Sequence, residues 1–103
     1  MKTIRISSGK TETSNGRTEY SYVARAGSSL YKLLETDSDV EVSAMGRTAV
    51  SNAVKAVVHA SQIASQHGRI ITADKFAYRN TKLTGMNGEE LDAVITTFVV
   101  HLI

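Results

Sequence analysis

The sequence contains no cysteine, and this absence excludes disulfide bonds, thiolate metal sites and thiol nucleophiles together. It also lacks a run of about 18 apolar residues, so we expect no segment that spans a membrane. Residues 1–6 interleave charged and apolar side chains and are not typical of a signal peptide. These features are typical of a cytoplasmic protein that does not associate with a membrane.

The size and composition of the chain are those of one folded domain. It has 103 residues, of which 42% are hydrophobic and 21% are charged, with no internal repeat or low-complexity segment. This apolar content is enough for a core and argues against disorder. We therefore expect a single domain that covers residues 1–103.

The charge balance is weakly positive. Twelve Lys and Arg against ten Asp and Glu give a formal net charge of +2, which does not by itself indicate a nucleic-acid partner. Acidic residues concentrate in residues 35–41 and 89–92, whereas basic residues are spread along the chain. Two interpretations stay open: a surface with two faces of opposite sign, or a mixed solvated surface.

The first half of the chain predicts a strand, a loop and a helix. Residues 3–7 alternate apolar and polar side chains as a strand does, and residues 8–18 have the glycines and hydroxyls of a loop. Apolar residues then recur at helical spacing from about residue 20 to about residue 35, before the acidic residues 36–39. Gly27 lies inside this helix and should weaken it by about 1 kcal/mol relative to Ala.

The second half predicts a strand, a long helix and a hairpin. Residues 40–44 alternate as a strand that ends at Gly46, and Thr48 is a candidate N-cap for a helix that runs to His67. Gly68 follows at the position of a C-terminal cap, and residues 69–80 and 92–103 are two strands around Asn87-Gly88, a strong hairpin signal. The predicted buried stripe of the helix consists of Val50, Ala53, Val54, Val57, Ala60 and Ala64.

This order, β-α-β-α-β-β, predicts an α/β protein of the two-layer α+β type with a four-stranded mixed sheet. Right-handed crossovers would place both helices on one face of that sheet. Residues 98–103 are apolar on both faces of the last strand, which a sheet covered on one face does not require. Either this strand is central, or a partner subunit covers its second face. We therefore expect a homodimer or a larger homo-oligomer.

Residues 46–57, Gly-Arg-Thr-Ala-Val-Ser-Asn-Ala-Val-Lys-Ala-Val, resemble the strand-to-helix segment of the stage V sporulation protein S family, a branch of the Alba superfamily. Leu30 and Leu34 fall where that family has helix leucines, and Ala44 fits its preceding strand. Residues 4–7 are similar to its first strand, and residues 87–90 to its hairpin tip. The resemblance touches most of the chain, but only residues 46–57 are specific.

The resemblance implies an Alba-like fold, dimerisation, and a nucleic-acid-binding role with DNA or RNA as partner. In Alba proteins the loop after the first strand, the turn before the second helix and the final hairpin contact nucleic acid. The loop of residues 8–18 is longer than the family's connection and lacks the adjacent lysines of many Alba proteins. The candidate contact residues on these segments are Lys10, Arg17, Gly46, Arg47, Ser51, Asn52, Lys75, Tyr78, Arg79 and Lys82.

The turn at Gly46 is a candidate ligand site for a physical reason that does not depend on the resemblance. A glycine between strand and helix lets the backbone approach a ligand, and the amides that open a helix favour an anion. Arg47 adds positive charge there, and Ser51 and Asn52 add polar groups. A tight turn with an exposed arginine is the other interpretation, and the residues alone leave both open.

The residues give no support to catalysis, to a metal site or to a cofactor. Gly9-Lys10-Thr11 resembles the end of a phosphate-binding P-loop, but the first glycine of that motif is replaced by Ile4. The three histidines have no partner at metal-ligand spacing, and no Gly-x-Ser-x-Gly motif occurs. The sequence thus favours a nucleic-acid-binding or nucleic-acid-associated regulatory protein. The alternative is an assembly module of the same fold without nucleic-acid activity.

Overall fold

Two helices lie on one face of a four-stranded mixed sheet whose strand order is β1-β2-β4-β3. The computed structural model describes residues 1–8 and 17–103, with side chains for residues 1–8 and 21–103. The elements are β1 (Lys2–Ile6), α1 (Arg17–Asp37), β2 (Asp39–Met45), α2 (Arg47–Gln66), β3 (Ile71–Thr84) and β4 (Glu90–Leu102). The predicted order and layer arrangement are confirmed. Neither helix is long and apolar enough to cross a membrane.

The sheet explains why the last strand is apolar on both faces. β1 and β2 are parallel, whereas β4 is antiparallel to β2 on one side and to β3 on the other. β4 is therefore a central strand, which was one of the two predicted explanations. Val100 and Leu102 face the helices, and Val99, on the opposite open face, is only 6% exposed without a partner subunit.

The core lies between the sheet and the two helices. Leu30 and Leu34 of α1 pack against Val40, Val42 and Val100 of the sheet, and all five side chains are fully buried. From α2 the core receives five alanines: Ala49, Ala53, Ala56, Ala60 and Ala64.

The predicted buried stripe of α2 is partly wrong. Val54 is 55% exposed, and Val50 and Val57 are only partly buried, whereas Asn52 and Ala56 are buried in their place. The alanine face lies inward because small side chains let the helix backbone approach the sheet and α1 closely. Val54 and Val58 then lie toward solvent, whereas Val50 and Val57 pack against the margin of the core.

Glycines mark both ends of α2. The N-cap is Gly46 with φ 90° and no side-chain cap, so the predicted cap at Thr48 is wrong. β2 ends at Met45 and α2 begins at Arg47, and the single residue between them needs a positive φ that glycine adopts without strain. At the other end Gly68 has φ 69°, and the amide of Arg69 donates to the carbonyl of Ala64 at 2.9 Å. The predicted C-terminal cap is confirmed.

The predicted hairpin turn at Asn87-Gly88 is also confirmed. The amide of Gly88, at φ 77°, donates to the carbonyl of Gly85 at 3.0 Å. β3 continues to Thr84, four residues past its predicted end, because residues 80–84 pair with β4. Beyond the pair Met45–Ile95, the two strands pair only with each other within the described chain. They form an arm that leaves the sheet.

Gly27 is the point of closest approach between the helices. A Cβ built on it would lie 2.7 Å from the Cβ of His59 and 2.8 Å from the backbone oxygen of Ala56, both on α2. The sequence identified this glycine as a weakness of α1. The structure shows that the absence of a side chain is what lets α1 and α2 pack together.

Replacing Gly27 by Ala should destabilise the protein, although Ala is the better helix former. Overpacking a tight contact costs about 1–3 kcal/mol, which exceeds the gain of about 1 kcal/mol in helix propensity. Urea unfolding of Gly27→Ala measures the difference. Ser29→Ala, at an exposed position of the same helix, is the matched control and should change the free energy of unfolding by less than about 0.5 kcal/mol. A Gly27→Ala variant as stable as the wild type would contradict this packing.

Candidate nucleic-acid interface

One edge of the sheet collects the predicted contact segments. β1 and β2 are parallel, so the loop that follows Ile6 and the turn at Gly46 leave the sheet at the same edge. The hairpin arm extends past that edge, since β2 ends there at Met45 and β4 does not. The fold thus brings the first loop, the start of α2 and the arm to one end of the molecule.

Asn52 and Tyr22 hold the start of the first loop. The side-chain nitrogen of Asn52 donates to the carbonyl oxygens of Ser7 at 3.2 Å and Ser8 at 2.9 Å. The hydroxyl of Tyr22 accepts a hydrogen bond of 2.7 Å from the amide of Ser7 and lies 3.0 Å from its Oγ. Tyr22 is not among the predicted site residues, because nothing in its spacing links it to Ser7.

Asn52 is completely buried, and this placement fits a supporting role. Its Nδ2 is used by the two serine carbonyls, whereas its Oδ1 is buried and has no hydrogen-bond partner in the described structure. A buried polar atom without a partner is uncommon in folded proteins and costs free energy. Asn52 therefore positions the loop from beneath the surface.

One face of the start of α2 is exposed, and this end of the helix is positively polarised. Gly46, Arg47 and Ser51 are all at the surface, and the first turn contains no acidic residue. The first amides of a helix have no partner within the helix and carry partial positive charge. Arg47 adds a full charge at the same point, and it forms no ion pair with another described residue.

Neither of the two cations predicted in the first loop has a side chain within the described part of the structure. Lys10 lies outside the described residues. Arg17 is the first residue of α1, but its side chain also lies outside the described part of the chain.

The predicted hairpin residues lie on two different faces. Arg79 pairs with Ile95 and points to the open face of the sheet, whereas Tyr78 and Lys82 point to the face that carries the helices. Positions three apart on a strand alternate in direction, so one surface cannot include both Arg79 and Lys82. Lys82 also forms ion pairs with Asp92 at 3.1 Å and Glu90 at 3.9 Å, and these two carboxylates weaken its attraction for an anionic ligand.

The remaining two hairpin candidates are at the surface. Tyr78 is 80% exposed. Lys75 lies at a bulge between Asp74 and Ala77 and has φ 55°, a left-handed conformation that is unusual for a lysine.

The sequence pattern of a known family covers most of the chain. The family described as stage V sporulation protein S matches residues 14–100. The chain belongs to this family. No curated protein sequence matches it.

The fold is similar to that of Alba from Thermoplasma volcanium. The TM-score is 0.62 at 12% sequence identity, and the match covers 95% of this chain and 99% of that chain. At this identity the likeness concerns the fold alone, and it confirms the predicted Alba-like fold. In this member of the stage V sporulation protein S family, residues 46–57 form the strand-to-helix turn and the first half of α2.

The histidines of this family member take structural positions. His101 on β4 lies 2.6 Å from an oxygen of Asp39 on β2 through Nδ1, and 2.6 Å from an oxygen of Asp74 on β3 through Nε2. It links three strands on the open face, while the His67 ring stacks on Tyr31 with centroids 5.6 Å apart. The described residues contain no group of three or more histidine or acidic side chains arranged to hold a metal ion.

The His101 bridge should make stability depend on pH. The hydrogen bonds to Asp39 and then Asp74 raise the pKa of His101 above its ordinary value of 6.5, since only the protonated ring donates to both carboxylates. A raised pKa gives stability that is complete below the unfolded value and lost as pH rises through the folded value. The thermal midpoint should therefore fall between about pH 6.5 and the folded pKa.

Thermal unfolding across that window, with NMR titration of His101, measures this effect. Asp74→Asn should reduce the change of the thermal midpoint with pH, because one of the two charged carboxylates that stabilise the protonated His101 ring is then gone. A His101→Gln variant with the pH dependence of the wild type would show that the bridge does not contribute.

Proposed function

We propose that this protein is a non-enzymatic, cytoplasmic nucleic-acid-binding or nucleic-acid-associated regulatory protein that acts as a homodimer or larger homo-oligomer. The observation that carries the proposal is the sheet edge where the first loop, the exposed start of α2 and the hairpin arm meet. DNA or RNA would bind there mainly through its phosphates, with weak sequence specificity.

The start of α2 is the strongest part of this surface. An uncapped helix N-terminus leaves amide donors for an anion, and glycine at position 46 places no side chain in front of them. A Cβ built on Gly46 would meet no atom within 4 Å, so the space at the turn is open. Arg47 and Ser51 then supply a charge and a hydroxyl on the same exposed turn.

The arm extends the surface beyond the body of the protein. Five residues of β4, 90–94, precede the pair Met45–Ile95, and at 3.4 Å per residue they span about 17 Å. Tyr78 is 80% exposed near the base of this arm and can stack on a base. Phosphate contacts position a protein on a nucleic acid but do not read its base sequence. The proposed surface has few polar groups that could contact base edges, so we expect weak sequence specificity.

Self-association is proposed through apolar side chains that the helices leave exposed. Val54 and Val58, one turn apart on α2, form this apolar patch and are 55% and 53% exposed, and Phe76 of β3 is 68% exposed on the helix-bearing face of the sheet. Phe76 stacks on Phe98 at the face of the sheet, with centroids 5.3 Å apart, and α2 is the helix that contacts β3. The alanines of α2 are used inside the protomer, so the patch is the better candidate for the contact with a second copy.

Nucleic-acid binding should be strongly salt-dependent, and Arg47→Ala should reduce that dependence. Each lost phosphate contact lowers the slope of log K against log salt by about 0.9 on duplex DNA and about 0.7 on single strands. Fluorescence anisotropy with duplex DNA, single-stranded DNA and RNA at several salt concentrations measures the slope. The double variant Lys10→Ala with Arg17→Ala tests the first loop in the same way.

Arg25→Ala is the matched control, because Arg25 is an exposed arginine on α1 outside the proposed surface. It should leave the slope unchanged. If the wild-type protein binds none of the three nucleic acids at low salt, the proposed activity is wrong, and an assembly module becomes the better description. If it binds but the Arg47 and loop variants keep the wild-type slope, the activity stands and the site is wrong.

The apolar patch predicts a dimer or larger assembly at micromolar concentration. Val54→Asp places a charge in the patch and should weaken association at least tenfold, while the protomer stays folded because Val54 is exposed. Sedimentation equilibrium measures the association constant. Ser29→Asp, at an exposed position of α1 and thus outside this stripe of α2, is the control and should associate like the wild type. A wild-type protein that is monomeric over a wide concentration range would exclude this assembly.

A further inference from the structure

The open face of the sheet carries a shallow cleft that no function described above uses. Its volume is about 220 Å³, and all four strands contribute to it. The lining side chains include Arg5 of β1, Ser43 and Met45 of β2, Ile95 of β4, and Arg79 and Thr81 of β3. The helices lie on the other face of the sheet, so the cleft is open to solvent.

Two arginines extend into the cleft from the two outer strands of the sheet. Arg5 is on one outer strand and Arg79 on the other, with β2 and β4 between them. Three interstrand spacings of about 4.8 Å, with an offset of two residues along the strands, separate the two Cα atoms by about 16 Å, and an arginine side chain spans roughly half of that distance. Both guanidinium groups can therefore contact one small ligand in the cleft.

Neither arginine has an acidic partner within the described residues. Asp39 and Asp74 lie toward the other end of the open face, where they are held by His101. Glu41 is nearer, diagonally across from Arg5 on β2, but it accepts a hydrogen bond from Thr3 at 3.4 Å and does not line the cleft. The two arginines thus make the cleft a local positive site with one carboxylate beside it. An anion in it would meet no carboxylate among the lining residues.

The lining specifies the kind of anion. Guanidinium groups bind phosphate oxygens through paired hydrogen bonds, and the hydroxyls of Ser43 and Thr81 add neutral donors. Met45 and Ile95 give the same cleft an apolar side that suits the carbon skeleton of an ester. The volume of 220 Å³ is below the roughly 300–1,000 Å³ of pockets for drug-sized ligands, so the occupant is small.

We propose that this cleft binds a small phosphate ester, with Arg5 and Arg79 on the phosphate group. The site lies on the open face, beside the turn at Gly46 because Met45 is one of its lining residues, and it assigns Arg79 to a different ligand from the one predicted by the sequence. The proposal does not depend on nucleic-acid binding at the sheet edge. Phosphate groups of a polynucleotide have the same chemistry, so the test must distinguish the two sources.

The test is an NMR titration of the full chain with adenosine monophosphate at constant ionic strength, with adenosine as the probe that lacks phosphate. The amides of Ser43, Ile95 and Thr81 should shift with the phosphate ester and not with adenosine. Arg5→Ala and Arg79→Ala should each weaken binding at least tenfold, while Arg25→Ala binds like the wild type. Unfolding curves establish that the variants fold, and Arg5→Lys, which keeps the charge without the paired donors, should recover only part of the affinity.

Three results would overturn the proposal. The first is the absence of shifts at about 10 mM ligand, a concentration at which even a site with a millimolar dissociation constant is mostly filled. The second is Arg5→Ala and Arg79→Ala variants that both bind like the wild type. The third is a polynucleotide affinity that depends on Arg5 while the mononucleotide does not bind, which would make the cleft part of the nucleic-acid surface. Mononucleotide binding that requires Arg5, in a protein that binds no polynucleotide, supports the cleft and refutes the proposed function separately.

Discussion

The alanine face of α2 sets the distance at which this helix packs on the sheet and on α1. Five alanines, with Gly27 of the neighbouring helix, let the backbones approach more closely than larger side chains would allow. This close packing brings Asn52 within hydrogen-bond distance of the carbonyls of Ser7 and Ser8. The position of the candidate interface therefore depends on a packing contact in the core.

The same contact decides which surfaces stay available. Because the small residues lie inward, Val54 and Val58 of α2 lie outward, and both are more than half exposed. The turn at Gly46 is held at the sheet edge, with its amides and Arg47 facing solvent. A candidate ligand surface at the sheet edge and an apolar patch on α2 thus occur on the same protomer.

Strand alternation separates the charges of the hairpin. Arg79 lies on the open face with Arg5, and Lys82 lies on the other face with its acidic partners. Residues that are neighbours in the sequence therefore act on different surfaces, while Arg5 and Arg79, 74 positions apart, line the same cleft. At the other end of the open face, His101 likewise brings together residues that are far apart in the sequence, Asp39 and Asp74.

Local sequence patterns were sufficient to predict the order of the elements and several of the turns and caps. The order of the elements, the cap at Gly68 and the turn at Asn87-Gly88 follow from periodicity and from backbone preferences, which involve residues close together in the chain. The family segment of residues 46–57 likewise indicated the Alba-like fold and the turn at Gly46. The helix that connects β1 to β2 lets these strands run parallel, and the first loop and the turn at Gly46 therefore leave the sheet at the same end.

Tertiary structure alone decided the rest. Periodicity shows that α2 has a buried face, but the rotation of that face depends on how closely α1 and the sheet approach, so Val54 and Asn52 were assigned to the wrong sides. The roles of Gly27 and His101 depend on partners far away in the sequence. The bulge at Lys75 and the paired strands past Asn80 fix which face each hairpin residue occupies. These features depend on distances between elements, and a linear sequence read by local patterns contains no measure of those distances.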